Sequence, residues 1–307
     1  MNIKVKKMKT IKGLLLIAFV GLFSVSTIAQ GDIISAADFI KLTKSDKNLV
    51  IIDASKADAY QKMHVKNAVS VPSEVLNQES GAVDGLLKSP EDLAKIFGDA
   101  GVSETNTIVV YDGGSQKYSS RVYWTLKYLG APNVMLLHKD MDMWKKSRVP
   151  ITKMPSTAKA TTFTPQLNAA VICELSDVKA GKAKVIDVRT PEEFNGSADN
   201  SDGHIPGATS LNYTELLTDT EAFKSKEEME KVMVKYGFTP DTPIIGYCRT
   251  SIRATVLYAA LVNVLGYKNV KVYDGAYLEW LDEGNGLETK AGVPAKKASS
   301  GTAGGGC

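Results

Sequence analysis

The chain repeats itself. Ile108-Val109-Val110-Tyr111-Asp112 aligns with Ile244-Ile245-Gly246-Tyr247-Cys248, and the same offset of 136 positions carries Leu129-Gly130, Asn133-Val134 and Trp144 onto Leu265-Gly266, Asn269-Val270 and Trp280. Upstream, Leu49–Asp53 matches Lys184–Asp187 with Val188, and His64-Val65-Lys66-Asn67-Ala68 matches His204-Ile205-Pro206-Gly207-Ala208. Four landmarks that recur in one order mark a duplicated domain. Whatever one half folds into, the other must fold into as well, and 307 residues suit two ordinary domains. With 44% hydrophobic and 23% charged residues, each half can bury a core.

Within each copy, short β-branched runs alternate with longer amphipathic segments. Val185–Val188, Thr209–Leu211, Ile244–Tyr247 and Val270–Tyr273 read as buried strands. Lys226–Tyr236 and Arg253–Leu265 read as helices, stopped by Gly237 and Gly266. Strands separated by helices predict an α/β fold: two domains, each a mainly parallel sheet with helices on both faces. The first is expected over 34–151 and the second over 165–290. Thr152–Thr164, with two prolines and small polar residues, reads as the linker, and 296–307 as a flexible Gly/Ser-rich tail.

The first residues follow a different logic. Lys4, Lys6, Lys7, Lys9 and Lys12 make a basic, acid-free start, Gly13 to Phe23 is apolar, and Thr27-Ile28-Ala29 ends in a small-residue cleavage pattern. Residues 1–29 are expected to be a secretory signal peptide, which implies an exported, periplasmic protein with no membrane attachment after cleavage. Removing five Lys from a formal charge of +3 leaves about −2, so the apparent basicity belongs to the leader and nothing points to nucleic acid.

Three cysteines are too few for a disulfide framework, so each needs its own account. Cys173 sits in the apolar stretch Ala169–Leu175 and reads as core. Cys307 ends Gly304-Gly305-Gly306; with the slack from Pro294 it reaches about 20 Å, which makes it a candidate sulfur relay. Cys248 is placed for chemistry. It follows a buried strand and precedes a helix, at the carboxyl end of the sheet where open α/β folds bind ligands. In Cys248-Arg249-Thr250-Ser251-Ile252-Arg253, loop amides can converge on an anion, and the helix N-terminus adds positive potential. Both favour thiolate or persulfide. Arg249 and Arg253 add donors for an oxyanion. A buried structural cysteine flanked by two surface arginines is the competing reading of the same spacing.

Asp187-Val188-Arg189, Gly203-His204-Ile205-Pro206-Gly207-Ala208, and the loop Cys248–Arg253 followed by Tyr273-Asp274-Gly275 carry a resemblance. The chain resembles, from Ile34 to Trp280, the tandem-domain rhodaneses, the group of thiosulfate and 3-mercaptopyruvate sulfurtransferases. The resemblance implies an active Cys248 that cycles between thiol and persulfide, and a first domain that has lost its cysteine, in keeping with Asp112 at the matching place. It implies Arg189 as an anion clamp and Arg121 as a residue entering the cleft between domains, beside loop residues Arg249, Thr250, Ser251, Ile252 and Arg253. His204 reads as structural. The sequence departs from the family in having Ser251 where the loop usually has Gly, Thr250 where thiosulfate enzymes carry Lys, and Arg249 where mercaptopyruvate enzymes carry Gly. The expected function is sulfur transfer from thiosulfate or a similar small sulfur-containing anion to a thiol or cyanide through a Cys248 persulfide, with no metal or organic cofactor. The alternatives are a 3-mercaptopyruvate sulfurtransferase and a non-catalytic persulfide carrier serving a partner protein. A Cys-dependent phosphatase is disfavoured, since its loop holds five residues between Cys and Arg, and here four separate Cys248 from Arg253.

Overall fold

The computed structural model describes residues 31–79, 83–113, 116–138 and 141–289, so the expected leader, Cys307 and most of the tail lie outside the described residues. Two five-stranded parallel sheets form the frame. The first runs in the order Ile33–Ile34, Val134–Leu137, Thr107–Tyr111, Leu49–Asp53, Ala68–Ser70; the second runs Thr209–Ser210, Lys184–Asp187, Ile244–Tyr247, Val270–Tyr273, Ile172–Cys173. Every neighbour pair in both is parallel. The middle strand of the second sheet is wholly buried, flanked in register by Lys184–Asp187 on one side and Val270–Val272 on the other. A continuous apolar run with helices on both sides is what such a strand requires. A separate antiparallel pair joins His64–Val65 to Ile151–Thr152.

The duplication extends to buried hydrogen bonds. Tyr111 Oη donates to Asp53 at 2.6 Å in the first copy, and Tyr247 Oη donates to Asp187 at 2.6 Å in the second. Each phenol oxygen then accepts a backbone N–H, from Val65 and from Ile205 respectively. These bonds tie the strand before each loop to its neighbour.

The halves are not beads on a string. One apolar cluster spans both, carrying Val122, Trp124 and Leu126 from the helix Lys117–Tyr128 and Val256, Leu257 and Ala260 from the helix Ala254–Asn263. Those two helices pack on each other. Trp124 Nε1 donates to the Val171 carbonyl at 2.9 Å, and buried Tyr123 and Asn263 share a polar knot with half-buried Asp32. The linker segment also adheres: Thr161 N donates to the Gly98 carbonyl, Gln166 N to that of Leu129, and Phe163 packs on Phe97. The loop that follows the middle strand of the second sheet therefore lies at a packed seam between the halves.

Candidate active site

Cys248 stands immediately after the central strand of the second sheet and is 1% exposed. Its loop is shaped by three devices. The first is backbone: the Cys248 carbonyl accepts the Tyr277 N–H at 3.0 Å and the Arg249 carbonyl accepts that of Leu278 at 3.3 Å, so the start of the helix Ala276–Asp282 holds the loop's outgoing edge. Thr250 O accepts the Ile252 N–H and Ser251 O accepts that of Ala254. This leaves the N–H groups of Arg249, Thr250, Ser251 and Arg253 without a protein acceptor among the described residues. Free amides at a strand–helix junction are the makings of an anion cradle.

The second device is Ser251. Its φ is +60°, a left-handed conformation natural to glycine and costing other residues about 1–2 kcal/mol. The family's glycine at this place is thus a backbone requirement, and the serine meets it with its hydroxyl: Ser251 Oγ donates toward Asp274 at 3.1 Å and accepts from Arg121 Nη1 at 2.7 Å.

The third device comes from the other domain. Arg121 is fully buried, and its guanidinium donates to Ser251 Oγ, to Asp274 Oδ1 at 2.9 Å, to Asn77 Oδ1 at 3.2 Å and to the Gly85 carbonyl at 2.7 Å. Asp274 in turn accepts the Leu87 N–H. Gly85, at φ +88°, lies so close that a Cβ there would stand 2.6 Å from Thr250 Cβ. The first domain forms a wall of the site and reaches the loop through one arginine.

The other expected site residues take partners within the protein. Arg189, expected as an anion clamp, is fully buried, with its guanidinium against both oxygens of Asp187, against Ser201 Oγ and against the Gly203 carbonyl, and it lies 4.0 Å over the Tyr277 ring. Arg121 enters the seam, where its two terminal nitrogens donate to protein oxygens and hold the loop, while its Nε is buried without a partner among the described residues. The Ile252 N–H is used inside the loop, and Thr250 packs against the first domain. Arg253 is bound to Glu193 through both terminal nitrogens, at 2.6 and 2.8 Å. Burial works against the Arg253 charge, yet Glu193 and the Cys248 sulfur raise its pKa above the usual arginine value. Arg249 is half-buried, and its Nη1 donates to the Asn200 carbonyl at 2.5 Å.

Two residues carry no sequence signal for this site. Glu193 reads as an ordinary capping-box acid of the helix Pro191–Asn195. Tyr213 lies in the short turn Tyr213–Leu216; burial raises its phenol pKa, against the lowering effect of the Arg253 charge. His204, stacked on Phe194 and bonded to the Phe194 carbonyl, has a structural role. Cys173 is 2% exposed, and burial pushes its thiol up to about 12. Among the described residues no cluster of His, Cys, Asp or Glu could hold a metal, and no helix is long and apolar enough to cross a membrane.

A strand–Cys–helix loop whose amides find no protein acceptor among the described residues defines a class of cysteine-centred anion site, and the comparisons name it. Residues 35–147 and 174–283 each match the rhodanese-like domain. The chain is 31% identical over 251 residues to a putative thiosulfate sulfurtransferase of Haloferax volcanii, covering 76% of this chain and 85% of that one. It is 28% identical over 263 residues to the 3-mercaptopyruvate sulfurtransferase of Escherichia coli, covering 80% and 93%. The crystal structure of SseA from Escherichia coli, a 3-mercaptopyruvate sulfotransferase, superposes with a TM-score of 0.72 at 27% identity, over 80% of this chain and 99% of that one. The chain belongs to the rhodanese family, in its tandem-domain form. It is a sulfurtransferase.

Proposed function

We propose that the protein moves sulfane sulfur from thiosulfate or a similar donor to a thiol or cyanide acceptor, with Cys248 as the covalent carrier. The Cys248 thiolate attacks the outer sulfur of the donor; the new bond forms at Sγ, the donor's S–S bond breaks, and sulfite or its equivalent leaves with the electron pair. The acceptor then takes the terminal sulfur and returns the thiolate. The observation that carries this reading is the set of loop amides between Cys248 and Arg253 that have no protein acceptor among the described residues, an arrangement that stabilises an anionic persulfide as an oxyanion hole stabilises charge. The chemistry needs no metal or organic cofactor. Residues 1–29 are proposed to direct the chain out of the cytoplasm, to the periplasm.

The test is to treat the purified protein with thiosulfate and with 3-mercaptopyruvate in parallel, and to follow both turnover and the mass of the Cys248 peptide. One added sulfur on Cys248 with steady turnover on thiosulfate is expected. Turnover on mercaptopyruvate alone favours that donor, loading without turnover favours a carrier, and no added sulfur on Cys248 from any donor overturns the reading. Export is checked by the N-terminal sequence of the protein recovered from its native cell fraction; an intact leader would refute it.

A further inference from the structure

The arginines around the loop are neutralised one by one. Arg121 lies 2.9 Å from Asp274, Arg189 lies 2.7 Å from Asp187, and Arg253 is gripped by both oxygens of Glu193. The acceptors are all buried in the second domain. Of these four arginines only Arg249 has no carboxylate partner among the described residues, and it is tied to a neutral carbonyl at the edge of the site. The Arg253 pair matters most, because Arg253 closes the loop that Cys248 opens, at the N-cap of the helix Ala254–Asn263. The Glu193 side chain is 8% exposed and is fixed from two sides, by Arg253 and by the Thr190 N–H that its carboxylate caps. Burial alone would raise the Glu193 carboxyl, but those hydrogen bonds and the charges of Arg253 and Arg189 hold it below the ordinary glutamate value, so it is ionised at neutral pH.

This charge arrangement bears on the donor. Attack requires a Cys248 thiolate, so the donor arrives at a site that already holds one negative charge. Thiosulfate brings two more, both close to the reacting sulfur, and the place where thiosulfate enzymes of this family carry a lysine is occupied by Thr250 packed on the first domain. Like charges brought together in a dehydrated cleft repel strongly. A donor with at most one charge at its reacting end meets a far smaller penalty.

We propose that Glu193 is a specificity-determining residue: by cancelling the Arg253 charge it makes an organic persulfide the faster donor, with the thiosulfate dianion accepted more slowly. This rests on the reading of Cys248 as sulfur acceptor. The step balances without any further reagent. The Cys248 thiolate attacks the terminal sulfur of R–S–S–H; the Sγ–S bond forms, the donor's S–S bond breaks, R–S⁻ leaves with the electron pair, and the terminal proton stays on the new Cys248 persulfide.

The experiment loads the full-length protein with hydroxyethyl persulfide or with thiosulfate under rapid mixing, reads the Cys248 peptide by mass, and divides each rate by that of the same donor with free cysteine. The normalised wild-type rate is expected to be at least about tenfold higher for the persulfide, and Glu193→Gln, by releasing the Arg253 charge, should raise the thiosulfate-to-persulfide ratio by about tenfold. Glu193→Asp, which keeps the charge, should keep the wild-type preference and serves as the decisive variant should the glutamine form fail to fold. Equal or faster normalised loading from thiosulfate in the wild type overturns the inference, as does a Glu193→Gln protein that slows with both donors by the same factor, the mark of a purely structural residue. In both cases Cys248 is still loaded and the sulfurtransferase reading stands. Failure of both donors to load Cys248 removes that reading, and the inference with it.

Discussion

Replacing Arg121 with methionine tests whether the first domain controls the chemistry of the second. The substitution keeps most of the side-chain length and removes the guanidinium that joins Ser251, Asp274, Asn77 and Gly85. Asp274, with its side chain 10% exposed, then keeps Ser251 Oγ and the Leu87 N–H among the described residues. Breaking a buried ion pair from one side costs about 3–5 kcal/mol, to be read by urea denaturation. The catalytic effect is separable. Ser251 holds φ +60° with its hydroxyl braced between Arg121 and Asp274. Without one brace, the left-handed cost of about 1–2 kcal/mol is no longer fully offset, which lowers the population of the competent loop and the rate of Cys248 loading by about five- to thirtyfold. Adding Ser251→Gly to the Arg121→Met protein should restore much of that rate, since glycine takes the conformation freely, while leaving the stability loss in place. An Arg121→Met protein with unchanged loading, or a double variant no faster than the single, would refute the bracing argument.

Cys248→Ser should keep the fold and lose all persulfide formation, and Cys173→Ser should keep the activity. With burial pushing its thiol up to about 12, Cys173 should resist iodoacetamide at neutral pH until the chain is unfolded, as peptide mapping would reveal. Arg249→Ala should raise KM for thiosulfate more than for a neutral polysulfide, by about ten- to a hundredfold for a charge-assisted contact; an unchanged donor profile would remove Arg249 from the site. Because the folded-state pKa of Glu193 is lowered, its ion pair stabilises the fold fully above the ordinary value of 4.5 and less as pH falls through the lowered one. The stability gap between the wild type and Glu193→Gln, measured in urea across that acid range, should shrink as pH drops; a constant gap would contradict the pairing.

The frame was legible because its signals are local. Ile244–Tyr247 and Val270–Tyr273 are strands to the residue, as runs of buried apolar side chains bounded by turn chemistry should be, and Gly237 and Gly266 end their helices with φ of +75° and +72°. The position of Cys248 was legible for the same reason, set by the strand before it and the helix after it. The arginines were not. A side chain that long has several partners within reach, and sequence does not say which it takes. Arg189 folds back onto Asp187 two residues earlier. Glu193 is 60 positions from Arg253 and lies on another element, so their pairing exists only once the sheet brings the two together. Ser251 was visible as a departure from the family's glycine; that its hydroxyl would be braced by a side chain 130 positions away was not.

The first domain shows what the anion site becomes when the sulfur is given up. Asp112 occupies the place of Cys248, and its Oδ2 accepts the N–H groups of Tyr118 and Ser119 and the Ser119 hydroxyl, at the start of the helix Lys117–Tyr128. A junction that draws a negative charge has been filled with a carboxylate belonging to the chain itself. The surrounding parts have changed with it. Lys117, at the repeat position of Arg253, lies 5.8 Å from the Tyr118 ring centroid, and Ala59 holds the third position of the helix where the second copy has Glu193. The buried Tyr111–Asp53 bond, by contrast, is kept at the same length as Tyr247–Asp187. The parts retained in both copies are those that hold strands together, and the parts lost in one are those that surround a reactive sulfur. Arg121 comes from the helix after the altered loop and ends on the intact one. The first domain, with its own anion site internally satisfied, acts as a fixed support that shapes the loop of the second.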